Sequence, residues 1–396
     1  MLRSLTLNLE ILKNIMVIKM YFRLNPESYF IRGENRGAIF DLIDGKIYVL
    51  DRKETRIVTS CEMNNPIHEG ERFLDELKQL CLGNFYTNRV YIQKLRVGSP
   101  LAGGERIDLH RAFLEINNTC NRDCWFCGCY GIKRNFGCMG CNKWRDNGTP
   151  LSEKKWKEIV DDLSDLGCRD IFITGGDLTL AWNKTINILD HANRKFNNMY
   201  IILHEQSLSS NIYDNLNGKV NLIIQTDRFN GHRSKDSANI LVIKPENWKE
   251  ANDIEDKAIL KDFIITDKNS LSKDLPIMSK EKVSPVNMHT FLNNIDYHPC
   301  LGRTLAICNN GDVIPCPMLR KHSFGNISDR KLCTIFEKNI EKIYNFWRLN
   351  LDKIEKCTGC EFRYACSDCR ALEENLTGKL DGKMLCSYSP EKGEWL

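Results

Sequence analysis

Short apolar runs alternate with longer polar stretches of helical character through the middle of the chain. Six such runs have the length and composition of buried strands, and they cover residues 113–116, 171–174, 200–203, 220–224, 240–243 and 263–265. Strands that alternate with helical segments favour a parallel sheet with crossover helices. The pattern therefore predicts an α/β fold, with six units where a closed barrel of this kind needs eight.

The segment between the first two strands shows the pattern of a single amphipathic helix. Ser152 can cap its N-terminus, Gly167 can end it, and its apolar positions recur at helical spacing at Trp156, Ile159, Val160, Leu163 and Leu166. This helix leads directly into the second strand, so the two predicted strands should lie side by side with their carboxyl ends on one rim.

Both of those strands are followed by residues with a chemical role. The first leads into Cys120, Cys124 and Cys127 at CxxxCxxC spacing, and the second into Gly175-Gly176-Asp177. Three thiolates can hold three corners of a [4Fe-4S] cube and leave one iron open for a ligand. A zinc site or scattered core cysteines are the alternatives for the triad taken by itself.

Together these motifs resemble the radical SAM superfamily. The resemblance implies a partial (βα)6 TIM barrel and a [4Fe-4S] cluster on Cys120, Cys124 and Cys127 that binds S-adenosyl-L-methionine (SAM). It implies that Phe126 packs on the adenine, and that Gly175, Gly176 and Asp177 lie along the methionine end, with Asp177 where the family usually has Glu. Thr226, at the end of the fourth strand, matches a hydroxyl residue near the ribose, although a structural cap is the other interpretation.

Composition limits the class of protein and supports metal ligation. The chain has 396 residues and 18 cysteines, and its 56 basic side chains nearly balance 52 acidic ones. This balance gives no sign of a nucleic-acid partner. No apolar run reaches the ~20 residues that cross a bilayer, and the N-terminus lacks a signal-peptide cleavage site. A chain rich in cysteine without an export signal is expected to be cytoplasmic, with its thiols on metals instead of in disulfides.

Nine cysteines lie in the last hundred residues, and eight of them, all except Cys333, are enough for two further [4Fe-4S] cubes. Their spacing around Gly311 and in the Cys357-x-x-Cys360 segment resembles a SPASM domain, the auxiliary-cluster module of many radical SAM enzymes. The resemblance implies one cluster on Cys300, Cys308, Cys316 and Cys369, and a second on Cys357, Cys360, Cys366 and Cys386. A pair of zinc sites is the alternative, because CxxC pairs bind zinc readily.

Three more cysteines, Cys129, Cys138 and Cys141, follow the triad among glycines. They are either a further metal site or spare thiols near the cofactor, and the sequence does not choose between these interpretations.

The N-terminal hundred residues predict a β-hairpin around Asp44-Gly45, followed by an amphipathic helix marked by Phe73, Leu74, Leu77 and Leu80. Hairpin followed by helix resembles the element that binds leader segments of ribosomally made peptides, where an extended peptide adds a strand to a sheet edge. A capping domain without a peptide partner is the alternative.

The resulting domain prediction is an N-terminal extension (1–20), an α+β leader-recognition-like domain (21–100), a radical SAM core (105–268) and a cysteine-rich SPASM domain (290–396). The family resemblance implies a peptide maturase that cleaves SAM reductively to a 5'-deoxyadenosyl radical and abstracts hydrogen from a precursor peptide. An electron donor such as flavodoxin or ferredoxin would supply the electron; no nucleic acid or membrane partner is expected.

There are two alternative functions. The first is a sulfatase-maturing enzyme, which is disfavoured because that group has an acid after the third auxiliary cysteine, where this chain has Pro317 after Cys316. The second is a non-catalytic iron-sulfur scaffold. The substrate, the bond formed and any catalytic acid or base are not visible.

Overall fold

The computed structural model describes most of the chain, with several gaps. The described residues are 19–96, 109–127, 133–134, 140–144, 148–216, 218–228, 237–252, 254, 259–265, 283 and 285–395. Most of the predicted N-terminal extension, together with Cys129 and Cys138, lies outside them.

A ten-stranded sheet forms the centre of the described fold. Its six successive parallel strands are β6 (Arg111–Asn117), β8 (Asp170–Gly175), β9 (Asn198–His204), β10 (Asn221–Thr226), β11 (Ala238–Ile243) and β12 (Ile259–Ile265). A short strand β7 (Lys133–Arg134) pairs antiparallel with β12 at one edge. The six predicted strands are all present and parallel, which confirms the predicted α/β partial barrel.

Helices cover one face of this sheet. They are α3 (Glu153–Asp165), α4 (Trp182–Ala192), α5 (Ser210–Leu216) and α6 (Trp248–Asn252), with α7 (Met288–Asp296), α8 (Leu332–Trp347), α9 (Glu355–Thr358) and α10 (Arg370–Thr377) following in the C-terminal region. Helix α3 begins as predicted, because the Ser152 side chain accepts a hydrogen bond from the amide of Lys155. Trp156 on α3 is fully buried against the sheet. None of the described helices combines the length and hydropathy that a membrane span requires.

The opposite, inner face of the sheet is lined by its own apolar group. Its members come from the parallel strands, from the cysteine loop and from the C-terminal hairpin, and they include Phe113, Phe126, Phe172, Ile202, Ile223, Ile240, Ala306 and Cys308. Alternate residues of each strand therefore face the helices and the interior, as expected where both faces of a parallel sheet are buried. The inner face of the sheet is therefore an apolar, low-dielectric surface.

The C-terminal region extends the same sheet. Strand β13 (Thr304–Ile307) runs parallel to β6, with Thr304 opposite Arg111 and Ile307 opposite Leu114. Strands β14 (Asp312–Ile314) and β15 (Gly325–Asn326) follow antiparallel. The turn between β13 and β14 contains Gly311, which takes a φ of 91°.

The N-terminal region is an α+β unit. It contains β1 (Tyr21–Leu24), β2 (Ser28–Arg32), β3 (Gly37–Asp41), β4 (Lys46–Leu50), α1 (Arg52–Glu62), α2 (Glu71–Gln79) and β5 (Gly83–Tyr86). The predicted hairpin (β3–β4) and amphipathic helix (α2) are both present. Helix α1 was not predicted, although Asp51 and Glu54 form a capping box at its start.

The β2–β3–β4 sheet also packs against the C-terminal region. The ring of Phe40 lies 4.8 Å from that of Phe291, and Tyr29 lies 5.3 Å from the same ring. Phe362 and Tyr388 belong to the same buried apolar group, and two further strands, β16 (Tyr388–Ser389) and β17 (Glu394–Trp395), lie beside it. The N-terminal sheet thus shares a core with the region that carries the last cysteines.

The glycine pair after β8 is required by the packing of the strands. A Cβ on Gly175 would lie 2.0 Å from the carbonyl oxygen of Asn117, and one on Gly176 would lie 2.5 Å from that of Thr119. The amides of Gly176 and Asp177 donate to these same two carbonyls. Gly175 also has a φ of 137°, which strongly favours glycine. The glycines therefore let two neighbouring strand ends approach closely.

We predict that Gly175→Ala lowers the free energy of unfolding by more than about 3 kcal/mol, because both the backbone conformation and the contact with Asn117 oppose a side chain. The matched control is Gly167→Ala, where φ is also positive at 75° but nothing lies within 4 Å of the added Cβ. The control should cost only about 1–2 kcal/mol. Anaerobic urea unfolding followed by far-ultraviolet circular dichroism measures both values, and equal losses would contradict the proposed close packing.

Candidate iron-sulfur and SAM site

The predicted triad lies in the loop after β6, and this loop is held against the end of β8. The side chain of Asn117 donates to the carbonyls of Thr119 and Asp177, and its own oxygen accepts from the amide of Thr119. Asn117 is almost fully buried, so these bonds are protected from water. They fix the direction in which the chain enters the cysteine loop.

Asp177 is committed to protein donors. One carboxylate oxygen lies 2.7 Å from Nη1 of Arg122, within the cysteine loop. The other oxygen accepts from the amide and hydroxyl of Thr179 and from the hydroxyl of Ser207. The described contacts thus give Asp177 the role of tying the loop to β8; a direct contact of this side chain with SAM stays a prediction.

Cys124 is the half-buried thiol at the centre of the triad. Burial, together with the charges of Cys120, Asp227 and Cys127, raises the pKa of Cys124 to about 11. The sulfur of Cys127 lies 3.2 Å from the amide nitrogen of Lys143, and that of Cys120 lies 3.4 Å from the amide of Arg122. Three neighbouring thiols on one loop are a donor set that a positively charged metal centre stabilises as thiolates. The triad fits an iron-sulfur cluster in this respect.

Phe126 is 1% exposed and lies in the inner apolar group. Its ring stacks near that of His204, at a centroid distance of 6.3 Å, and packs edge-on against Trp125. Desolvation lowers the pKa of His204, so the imidazole is neutral near pH 7. The aromatic position before the third cysteine is therefore inside the cavity, while its predicted contact with adenine is not tested by the described contacts.

Thr226 ends β10 at the same rim. Its hydroxyl accepts a hydrogen bond from the amide of Arg228, which supports the structural interpretation of this residue. The neighbouring Gln225 accepts from the amide of Cys141 and donates to its sulfur at 3.4 Å. Cys141 thus lies over the end of β10, and segment 140–144 crosses the rim, where Asn142 also bonds to Gly175.

The C-terminal cysteines separate into two groups. In the first, Cys316 has its pKa raised by burial and by the charges of Cys300 and Cys369, and the Cys300 charge likewise raises that of Cys369. In the second, burial and the charges of Cys386, Cys360 and Cys357 raise the pKa of Cys366. We call Cys300, Cys316 and Cys369 the first auxiliary group. The second auxiliary group is Cys357, Cys360, Cys366 and Cys386.

A buried acid supports the first auxiliary group. Asp368 pairs with His298 at 3.1 Å and also with Arg370, and these partners hold its pKa below the usual value against the opposing effect of burial. The imidazole of His298 in turn accepts from the amides of Cys300 and Leu301. This network joins the backbone at Cys300 to Asp368, which directly precedes Cys369 in the sequence.

Cys308 lies elsewhere. Its thiol contacts Nη2 of Arg320 at 3.3 Å, and Arg320 forms a bidentate pair with Glu115 on β6. The Arg320 guanidinium also lies over the ring of Trp144 at 4.5 Å. Cys308 belongs to the inner apolar group that contains Phe126, so the structure does not bring it together with the first auxiliary group as the sequence predicts.

Within the described residues, no three His, Cys, Asp or Glu side chains converge on the position of a single metal ion. A [4Fe-4S] cube takes its thiolates on separate irons, so cysteines around it surround a volume and do not meet at a point. The predicted ligand set of each cluster stays a prediction.

Several residues of the site were not identified from the sequence. Arg122, Trp125 and Lys143 lie in or beside the cysteine loop, and Trp125 donates to Asp227 at 3.0 Å across the rim. Their only sequence signal is proximity to the triad or to a strand end. Glu115 and Arg320 are 205 residues apart, and no local pattern could have paired them.

Comparison with solved structures gives distant likenesses. Streptococcus suis SuiB bound to the precursor peptide SuiA is 12% identical, with 93% of this chain and 98% of that chain covered and a TM-score of 0.46. SuiB bound to S-adenosylmethionine is 13% identical with the same coverage and a TM-score of 0.44. The anSMEcpe protein with bound AdoMet is 14% identical over 68% of this chain and 92% of that chain, with a TM-score of 0.45. With TM-scores below 0.5, these likenesses identify neither fold nor function, and no curated protein sequence matches.

Two protein-family models match the regions that carry the cysteines. Residues 114–226 match the radical SAM superfamily model, and residues 300–361 match the SPASM model, an iron-sulfur cluster-binding domain. The first match spans the triad loop and the Gly175-Gly176 packing, and the second includes residues of both auxiliary groups. The chain therefore contains a radical SAM domain and a SPASM domain, and the cofactors that these domains imply are a [4Fe-4S] cluster, S-adenosylmethionine and auxiliary iron-sulfur clusters.

Proposed function

We propose that the protein is a cytoplasmic radical SAM peptide maturase with one SAM-binding and two auxiliary [4Fe-4S] clusters. The observation that carries this proposal is the arrangement of three buried or half-buried thiol groups, one at the mouth of a parallel-stranded cavity and two in the C-terminal region. When bound, the cluster and SAM supply a 5'-deoxyadenosyl radical that abstracts a hydrogen atom from the substrate.

The chain's own residues keep this cavity ordered and dry. Arg122 and Asp177 hold the cysteine loop on β8, and Trp125 ties it to Asp227 beyond β10. Phe126 and the inner strand residues fill the interior with apolar surface. Exclusion of water and of stray hydrogen donors is what a radical intermediate demands of its site.

The N-terminal sheet offers a place for an extended peptide. Strand β4 pairs with β3 on one side, and none of the described strands pairs along its other edge. Val49 on β4 is 41% exposed, so the strand has a solvent-facing side. A leader segment of a precursor peptide can add to this edge through main-chain hydrogen bonds while its modified part enters the cavity.

Electron transfer needs a route to the surface, and the second auxiliary group lies next to one. Cys386 lines an open cleft of about 1000 Å³ between the end of β2 and the C-terminal region. Basic and acidic side chains alternate around this cleft, among them Arg32, Lys356 and Glu391. A small reduced carrier such as flavodoxin or ferredoxin is the partner we assign to the protein.

We predict that Cys124→Ala abolishes 5'-deoxyadenosine formation from SAM, because it removes one of the three thiolates at the cavity mouth. Cys360→Ala should retain measurable 5'-deoxyadenosine formation but lose modification of the peptide, because it affects only the second auxiliary group. Chromatography of the nucleoside after incubation with dithionite measures the first effect. Equal behaviour of the two variants would contradict the division of roles, and absence of 5'-deoxyadenosine from the unaltered protein would favour a non-catalytic scaffold.

We predict that Asp177→Asn slows 5'-deoxyadenosine formation about 10-fold and speeds iron loss to a chelator. The substitution removes the charge of the buried Asp177 that pairs with the half-buried Arg122, and so loosens the cysteine loop. Asp161→Asn is the matched control, since Asp161 pairs with Lys195 and His191 at the surface and should leave both rates unchanged. A slower reaction with unaltered iron retention would instead assign Asp177 to SAM contact and not to the loop.

A further inference from the structure

The position of Cys308 follows from the register of the sheet. Strand β13 runs parallel to β6, so its carboxyl end lies at the rim that carries the triad. Continuing the register places Cys308 beside Glu115, near the end of β6. Cys124 and Phe126 pack on the same inner apolar group as Cys308.

The first auxiliary group is anchored at the opposite end of these strands. The carbonyl of Cys300 accepts from the side chains of Arg111 and Thr304, which are paired residues at the amino ends of β6 and β13. Strand β14 runs antiparallel, with Ile314 opposite Ala306, so the chain approaches Cys316 while heading toward that same end. About 13 Å of strand separates the level of Thr304 from Cys308, at roughly 3.3 Å per residue.

Arg320 fixes Cys308 at the rim. Its guanidinium makes a bidentate pair with Glu115, which is 1% exposed, and the same Nη2 atom contacts the thiol at 3.3 Å. Separating this pair is costly, because it would leave the buried Glu115 carboxylate without its half-buried partner. The contact between Arg320 and the thiol thus holds Cys308 beside Glu115.

We propose that Cys308 is a wall residue of the radical cavity, held by Arg320 and Glu115, and not a ligand of the auxiliary cluster on Cys300, Cys316 and Cys369. This inference rests on the proposed function and corrects the ligand set that the family resemblance implies. Three thiolates are enough to hold that cluster, as they are for the cluster on the triad. The role we assign to Cys308 is to limit the space beside Phe126 that SAM and substrate share.

The test compares conservative variants after anaerobic reconstitution. Cys308→Ser should keep the iron and sulfide content of the unaltered protein, whereas Cys300→Ser and Cys316→Ser should each lose about four irons, the content of one cube. Cys168→Ser is the control for loss of a buried thiol, because Cys168 is 4% exposed on the helix-covered face of the sheet. Loss of about four irons from Cys308→Ser would overturn the proposal. Should the serine variant fail to fold, Cys308→Ala gives the same comparison.

A second variant tests the cavity position itself. Cys308→Leu adds volume to the cavity wall, so it should retain iron while lowering 5'-deoxyadenosine formation at least 10-fold. Full cleavage activity in this variant would overturn the assignment to the cavity. The iron comparison requires no SAM cleavage, so it decides the ligand set even if the unaltered protein is inactive. Inactivity of the unaltered protein would count against the proposed function alone.

Discussion

The close packing of the β6 and β8 strand ends is the constraint on which the rest of the site depends. Gly175 and Gly176 let the backbone of the second strand hydrogen-bond to the carbonyls of Asn117 and Thr119. Those two residues lead directly into the cysteine loop, and Asp177 then binds Arg122 inside it. The family resemblance assigns this glycine pair to the cofactor. In the structure the pair also determines where the three thiols lie.

Buried thiols give the C-terminal region its organisation. Burial raises the pKa of Cys360 and Cys369 to about 12, so without a metal centre these groups would be neutral and would contribute little beyond packing. With the ligand sets proposed above, binding of iron would replace their protons and couple folding of the region to cluster assembly. Because the N-terminal sheet shares a core with Phe291 and Phe362, the order imposed there extends to the strand edge that we assign to peptide binding.

The sequence predicts local and periodic features of this molecule well. The six parallel strands, the capped helix after Ser152 and the hairpin turn at Gly45 each rest on a pattern within a few residues, and all are present. Helix α1 was missed, although the Asp51 and Glu54 capping box was a local signal for it. What the sequence does not reveal is long-range placement: the Glu115 and Arg320 pair, the Gln225 contact with Cys141 and the position of Cys308 depend on which strands become neighbours. The family resemblance placed Cys308 with Cys300, Cys316 and Cys369, whereas the sheet register puts it at the opposite end of β13 from Thr304.

We propose that the cluster on Cys120, Cys124 and Cys127 has an open iron that binds SAM. Electron paramagnetic resonance of the anaerobically reconstituted and reduced protein, with and without SAM, tests this. We expect SAM to shift the g-values of one cluster signal, and this signal to be missing from Cys124→Ala. A spectrum of the unaltered protein that does not change on addition of SAM would contradict it.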